Sequence, residues 1–225
     1  DKIRRYGFHG TSHRFVSARA ATILGKKIED LKIITCHLGN GSSVAAVQNG
    51  KCIDTTMGLT PLAGLPMGTR AGDMDAGVME FIMKKHNLSI DEMMTILNKK
   101  SGVLGISGVS SDFRDLDNAA DAGNVRAQLA IDVFVYDVKK YIGAYAAAMG
   151  GVDVVVFTAG VGENPASLRA KMVEGLDYMG IKMDVAKNDF RGEERDVTAD
   201  GATVKLLVIP TNEELMIAMD TAEIE

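Results

Sequence analysis

Apolar residues recur along the chain with two periods, and the alternation between them predicts an α/β fold. Phe15, Val16, Ala20, Ile23 and Leu24 sit at helical spacing behind Ser12, a capping residue type, and Gly25 supplies a stop. Three strand-like segments follow at residues 32–38, 42–48 and 51–57. Gly39-Asn40-Gly41 joins the first two and Asn49-Gly50 the second pair, a two-residue hairpin signal because both central positions of a type I′ turn need positive φ. This region therefore reads as an antiparallel meander. Residues 58–74 have no period and are rich in Gly, Pro, Thr and Met, the composition of a functional or mobile loop.

Helical patterns cover 75–86 and 90–99, the second with Ser89 and Glu92 as a capping box. Ser111 or Asp112 opens another helix, and a long apolar helix runs over about 124–149. Residues 152–159 read as a buried strand from their length and β-branched content. Asn164 caps a helix with Pro165 in its first position, ending near Gly175. A last strand, 203–209, leads through Pro210, Thr211 and Asn212 into a short helix.

Composition narrows the function classes. Among 225 residues, 46% are apolar and 24% charged, ordinary for a globular protein able to bury a core. The net charge of −5 and the lack of any basic cluster argue against nucleic acid as a partner. No apolar run approaches the roughly 20 residues that cross a bilayer, so no membrane is expected. Two cysteines, Cys36 and Cys52, both in expected strands, are too few for a disulfide framework, which fits a reducing cytoplasm. The opening Asp1-Lys2-Ile3-Arg4-Arg5 has neither an initiator Met nor a signal-peptide pattern, consistent with processing or with a piece of a longer protein.

Six segments carry candidate chemistry. In the turn His37, Leu38, Gly39, Asn40, Gly41, the glycines allow close backbone approach and successive N–H groups can form an anion-binding concavity; the alternative is a plain hairpin. Its strand–turn–strand setting excludes a Walker loop and a Rossmann fingerprint, which both need a following helix. Thr158-Ala159-Gly160-Val161-Gly162-Glu163-Asn164 reads as strand, glycine turn, then helix, a common phosphate-binding geometry that also serves as a mere connection. Arg70, between Gly68 and Gly72, could place its guanidinium on phosphoryl oxygens, or pair with Asp73 or Asp75. His9 and His13 stand four apart with no third metal ligand in view; His9 ahead of the helix is placed to donate a hydrogen bond, and His13 reads as a core histidine. Asp112, Phe113 and Arg114 could bracket a planar base and a ribose, or simply start a helix. Glu213 and Glu214 could reach Mg²⁺, or complement a helix dipole.

Taken in order, YGFHGTSH, HLGNGSS, DTTMGLTPLAGLPMGTRAGD, SDFRD, TAGVGEN and TNEE closely resemble the acetate kinase family, over almost the whole chain. The resemblance implies an actin-like, ribonuclease H-like ATPase lobe with a mixed sheet flanked by helices. It also implies that residues 1–225 are the C-terminal lobe of a two-lobe kinase. The other lobe, which carries a metal-binding asparagine, a substrate-binding arginine and a catalytic aspartate in the family, would lie outside this chain. The implied reaction is reversible transfer from ATP to acetate, giving acetyl phosphate and ADP by direct in-line displacement. By residue, His9 and Arg70 resemble the groups that stabilise the transferring phosphoryl, and His37, Leu38, Gly39, Asn40 and Gly41 the phosphate turn. Asp112, Phe113 and Arg114 match the adenosine stretch, and Gly160, Val161, Gly162, Glu163 and Asn164 the second nucleotide turn. Glu213 matches a carboxylate associated with Mg²⁺. Ala63 and Ala76 depart from the Glu and Pro of many members. A homodimer is implied, and the chain alone is expected to be inactive. Propionate or another short-chain acid as acceptor, and a non-catalytic nucleotide-binding or dimerisation module, are the competing readings.

Overall fold

A computed structural model describes residues 1–224. The chain divides into two compact units, one comprising Asp1–Tyr6, Asn40–Ser42 and Met57–Asp137, the other Gly7–Gly39, Ser43–Thr56 and residues 138–224. In chain order the elements are α1 (Gly10–Leu24), β1 (Lys32–Leu38), β2 (Ser42–Gln48), β3 (Lys51–Thr55), α2 (Ala76–His86), α3 (Ile90–Lys99), α4 (Gly102–Ser107), α5 (Phe113–Asp121) and α6 (Val125–Met149). Then come β4 (Val154–Thr158), α7 (Ala159–Glu163), α8 (Ala166–Val173), α9 (Val185–Asn188), β5 (Arg195–Asp196), β6 (Lys205–Val208) and α10 (Glu213–Ala222).

The second unit is built on a sheet of order β3-β2-β1-β4-β6-β5. Asn49 (φ 53°) and Gly50 (φ 74°) both take the left-handed conformation the hairpin requires, and β2 and β3 pair antiparallel. Only three residues join the neighbours β1 and β2, far too few for the crossover of a parallel pair. Beyond β1 the sheet changes character: β4 runs parallel to β1, β6 parallel to β4, and β5 antiparallel to β6. The expected mixed sheet of meander plus parallel strands is thus formed. Burial on both faces explains why β4 reads as a continuous apolar run without alternation.

Against one face lies α1, which buries Ser12, His13, Val16, Ser17, Ala20 and Ala21, the helical repeat of a single side. Val16, Ala20 and Ala21 join Ile33, Val154, Val156 and Leu207 in the core there. Towards the carboxyl end of β1 this packing turns polar. Ile33 meets aliphatic side chains, but Thr35 meets His13 and His37 meets Ser12. One helix–sheet contact is therefore hydrophobic cement at one end and a hydrogen-bonded cluster at the other.

The first unit is helical. Its buried apolar residues come from the 57–74 segment (Met57, Leu65, Met67), α3 (Met93, Leu97), α4 (Val103), α5 (Phe113, Leu116) and α6 (Ile131, Phe134). Ser89 and Glu92 form the predicted capping box of α3, and Asp75 caps α2.

Several local expectations are corrected. Helix α1 begins at Gly10, with His9 and not Ser12 at its N-cap, because Ser12 turns its hydroxyl to His37. Pro165 is the N-cap of α8, one position before the first turn. The glycines at 160 and 162 lie inside α7, which starts directly from β4, and so do not form a turn ahead of a helix. No helix among the described residues is long and apolar enough to cross a membrane.

Candidate active site

In an open sheet with parallel strands, the carboxyl ends of the strands are where ligand-binding segments gather. Here β1 ends in His37 and Leu38, β4 in Thr158, and β6 leads to Thr211, Asn212 and Glu213. His37 and Thr158 are register partners, so two of the three segments leave the sheet side by side. Glu163 fastens the third: its Oε1 accepts from the Ala159 N–H (2.6 Å), the Thr158 hydroxyl (3.4 Å) and the Thr211 N–H (3.3 Å). Ala159 sits at φ 64°, a left-handed value costing an alanine roughly 1–2 kcal/mol, which the Glu163 contact helps to hold. Glu163 therefore works as an internal brace of the second glycine segment.

Beneath α7 lies Arg169, the largest fully buried side chain and one the sequence did not flag. Its guanidinium donates to the Gly162 carbonyl (3.2 Å) and to the side chain (2.7 Å) and backbone (2.9 Å) oxygens of Asn188, with the Phe190 ring 5.1 Å away. Burial lowers its pKa to about 10, which still leaves it charged at neutral pH. Asn164 donates its amide to the Gly160 carbonyl at 2.9 Å, closing the segment on itself. Gly162 is packed against Phe157 and the Cys36 carbonyl, while Val161 and Gly160 are on the less buried side.

Three of the four histidines cluster in the same unit. His9 and His37 stack with centroids 4.0 Å apart and planes 15° apart, and His13 lies edge-on to both. Their nitrogens meet hydroxyls: His9 Nδ1 with Ser43 (2.8 Å), His13 with Thr35 (2.7 Å) and Ser43 (2.7 Å), and His37 Nδ1 with Ser12 (2.8 Å). Ser12 in turn accepts from the Thr211 hydroxyl at 2.7 Å, so α1 is tied to the β6 end. Burial, followed by the neighbouring imidazoles, lowers His13 and His37 to about 3, so both are neutral at physiological pH. The reading of His13 as a satisfied core histidine holds. His9 has φ 60°, a left-handed conformation in which histidine is enriched over most residues but which is still unusual.

In the first unit, Asn40 is held by the glycine-rich loop. The Gly68 N–H donates to the Asn40 carbonyl at 3.2 Å, and a Cβ on Gly68 would stand 2.0 Å from Asn40 Oδ1, so a larger residue there would displace the Asn40 amide. Arg70 follows two residues later. Its Nη1 donates to the Pro61 carbonyl (3.0 Å) and touches the Met67 sulfur (3.6 Å). Asp73 instead accepts from the Gly64 N–H and Asp75 from the Gly77 N–H. The guanidinium thus meets no carboxylate among the described residues, and its charge is available to an anion.

Asp112, Phe113 and Arg114 are held differently from expectation. Phe113 is only 5% exposed and packs on Phe134 at 4.6 Å, so its ring is not offered as one side of a base sandwich. Asp112 caps α5 through the Arg114 N–H and pairs with the Arg114 guanidinium at 2.6 Å. That contact draws its carboxyl down to about 2. The exposed Asp112–Arg114 pair remains available to a ligand edge; the aromatic does not. Leu38 is likewise fully buried, leaving only its backbone for the turn.

For a cation, the donor set is small: no three His, Cys, Asp or Glu side chains among the described residues group as metal ligands. Glu213 opens α10 beside its cap Asn212, whose side chain is taken by the Leu215 N–H. A single carboxylate suits Mg²⁺, which keeps several waters and is held largely by substrate phosphates.

Comparison with known proteins identifies the family. The model of the acetokinase family matches residues 1–219. The acetate kinase of Desulfitobacterium hafniense is 61% identical over 223 residues, which are 99% of this chain and 56% of that protein. That of Methanosarcina barkeri is 59% identical over 99% of this chain and 54% of its own length. Among solved structures, the acetate kinase of Porphyromonas gingivalis superposes with a TM-score of 0.97 at 53% identity, covering 99% of this chain and 56% of that one. A propionate kinase from Francisella tularensis superposes with a TM-score of 0.90 at 43% identity, over 97% of this chain and 55% of its own. The chain thus spans about half the length of the relatives it matches. With the family model and this likeness covering nearly every residue, the chain belongs to the acetokinase family.

Proposed function

We propose that the chain is the nucleotide-binding half of a kinase that transfers the γ-phosphoryl group of ATP to acetate, giving acetyl phosphate and ADP. The carrying observation is the gathering of the β1, β4 and β6 carboxyl ends, with their glycine segments and Glu213, on one edge of a sheet. In this reading the acetate oxygen forms a bond to the γ-phosphorus as the bond to the β,γ-bridging oxygen breaks, and no proton moves. The work left to the protein is positioning and charge neutralisation. The 37–41 turn and the 160–164 segment hold phosphates through backbone N–H groups, and Asp112 and Arg114 flank the nucleoside. Arg70 and His9 each donate to phosphoryl oxygens. Glu213 would hold a Mg²⁺ ion, which supplies charge neutralisation at the phosphates.

Relatives near 60% identity that are named acetate kinases support acetate as the acceptor. Propionate is the second reading, favoured by the likeness to the Francisella tularensis enzyme, and the acceptor preference separates the two. A homodimer and a cytoplasmic setting belong to the same proposal. Exposed Val125, Leu129 and Tyr136, spaced along one face of α6, support the former. The test is acetyl phosphate synthesis by the protein completed to the length of its relatives. Turnover is expected there and none from the 225-residue chain alone. Arg70→Ala is expected to lower kcat about 10²-fold or more while the ATP affinity changes little. Equal losses in kcat and affinity would remove Arg70 from the transition-state role, and turnover by the chain alone would overturn the two-half reading.

A further inference from the structure

The ring nitrogens and hydroxyls around His9 form a chain whose direction can be worked out. Thr35 is fully buried, and among the described residues its hydroxyl meets only His13 Nδ1, at 2.7 Å. If Thr35 accepted from His13, its own O–H would be a buried donor without an acceptor, which is costlier than an idle lone pair. Thr35 therefore donates, and His13 Nδ1 carries no proton. A neutral imidazole has one N–H, so the His13 proton is on Nε2 and is donated to Ser43 Oγ at 2.7 Å. His13 is neutral because burial and the two neighbouring imidazoles disfavour its charge. Ser43 is also fully buried, and among the described residues its hydroxyl meets only the two imidazoles. With His13 donating to it, the Ser43 proton can go only to His9 Nδ1, 2.8 Å away.

We infer that Thr35, His13 and Ser43 are a directional hydrogen-bond relay that fixes neutral His9 as the Nε2–H tautomer. The relay crosses three elements, from β1 to α1 to β2 and back to the N-cap of α1, so the packing of helix on sheet sets the proton's place on a ring. Its functional weight rests on the proposed phosphoryl transfer: an imidazole held as an N–H donor at Nε2 suits a phosphoryl oxygen, whereas the other tautomer would present a lone pair to it. In that role Thr35, His13 and Ser43 are positioning residues.

The relay is tested on the 225-residue chain by ¹⁵N NMR of the histidine rings, a simple spectrum because only His9, His13, His37 and His86 contribute. At pH 7.5 the expected result is a protonated Nε2 and an unprotonated Nδ1 on both His9 and His13. Ser43→Ala and Thr35→Val are each expected to convert His9 to a mixture of tautomers with averaged ring shifts. Thr35→Ser, which keeps the donor, should retain the single form. A wild-type His9 that carries its proton at Nδ1, or is already mixed, overturns the inference. So does an unchanged His9 signature in Ser43→Ala with the backbone fingerprint and the His86 signals preserved. Should Ser43→Ala fail to fold, the wild-type assignment and Thr35→Val decide alone. The measurement uses neither nucleotide nor turnover, so failure of the kinase reading would leave its outcome standing.

Discussion

His13 and His37 give the folded chain a pH dependence that can be worked out residue by residue. Each has an ordinary value of 6.5 and is lowered to about 3 in the folded protein, first by burial and then by neighbouring imidazoles. Between those values the unfolded chain binds more protons than the folded one, so stability falls as pH drops from 6.5 towards 3 and is level above 6.5 for these groups. The slope approaches ~1.4 kcal/mol per pH unit for each histidine. A urea midpoint lower at pH 5 than at pH 7 is expected, and His37→Gln should remove about half of the difference. An acid-insensitive midpoint would mean that the two rings are protonated without unfolding. At this scale the sequence pointed to His9, His37 and Arg70 through glycines within two residues of each. It was silent on Thr35 and Ser43, because a hydroxyl among strand residues gives no sign of its partner. It misjudged Phe113, whose ring is claimed by Phe134 from α6.

Elements were legible in proportion to their length and to the chemistry of their ends. Asn49-Gly50 and the Ser89–Glu92 box fix local geometry through near neighbours alone, and both form as expected. By contrast α4, α7 and α9 have 6, 5 and 4 residues, too few for a helical period to show. β5, at two residues, exists through its pairing with β6. What fixes α7 is also non-local. Arg169 on α8 reaches Gly162 on α7 and Asn188 on α9, so one guanidinium joins three short helices. Arg169→Lys keeps the charge but cannot reproduce the fork. Losing charge-assisted hydrogen bonds worth ~1.5–3 kcal/mol each should lower unfolding free energy by at least ~2 kcal/mol and weaken nucleotide binding through the 160–164 segment. A lysine variant with wild-type urea stability would show that α7 is held by packing alone.

For the whole molecule, the glycine-rich turn at 37–43 gained most from the fold. On its own it reads equally as a plain hairpin; at the carboxyl edge of β1, in one sheet with the parallel β4 and β6, it is one of several segments at the edge where the proposed nucleotide site lies. In the proposed reading that edge holds the nucleotide, and the chain spans about half the length of its relatives. Nucleotide and acceptor should therefore differ sharply in their effect on thermal stability. Mg·ADP, held through backbone N–H groups and several side chains, is expected to stabilise the chain by about 2.7 kcal/mol at a hundred times its Kd, a clear rise in Tm. Acetate offers one carboxylate, and a single solvent-accessible guanidinium–carboxylate pair is worth only ~0–1 kcal/mol. Arg70 alone should thus give acetate no Tm rise beyond that of chloride at equal ionic strength. No response to Mg·ADP would overturn the nucleotide reading. A response to acetate matching that to Mg·ADP would instead place a complete acceptor pocket within these 225 residues.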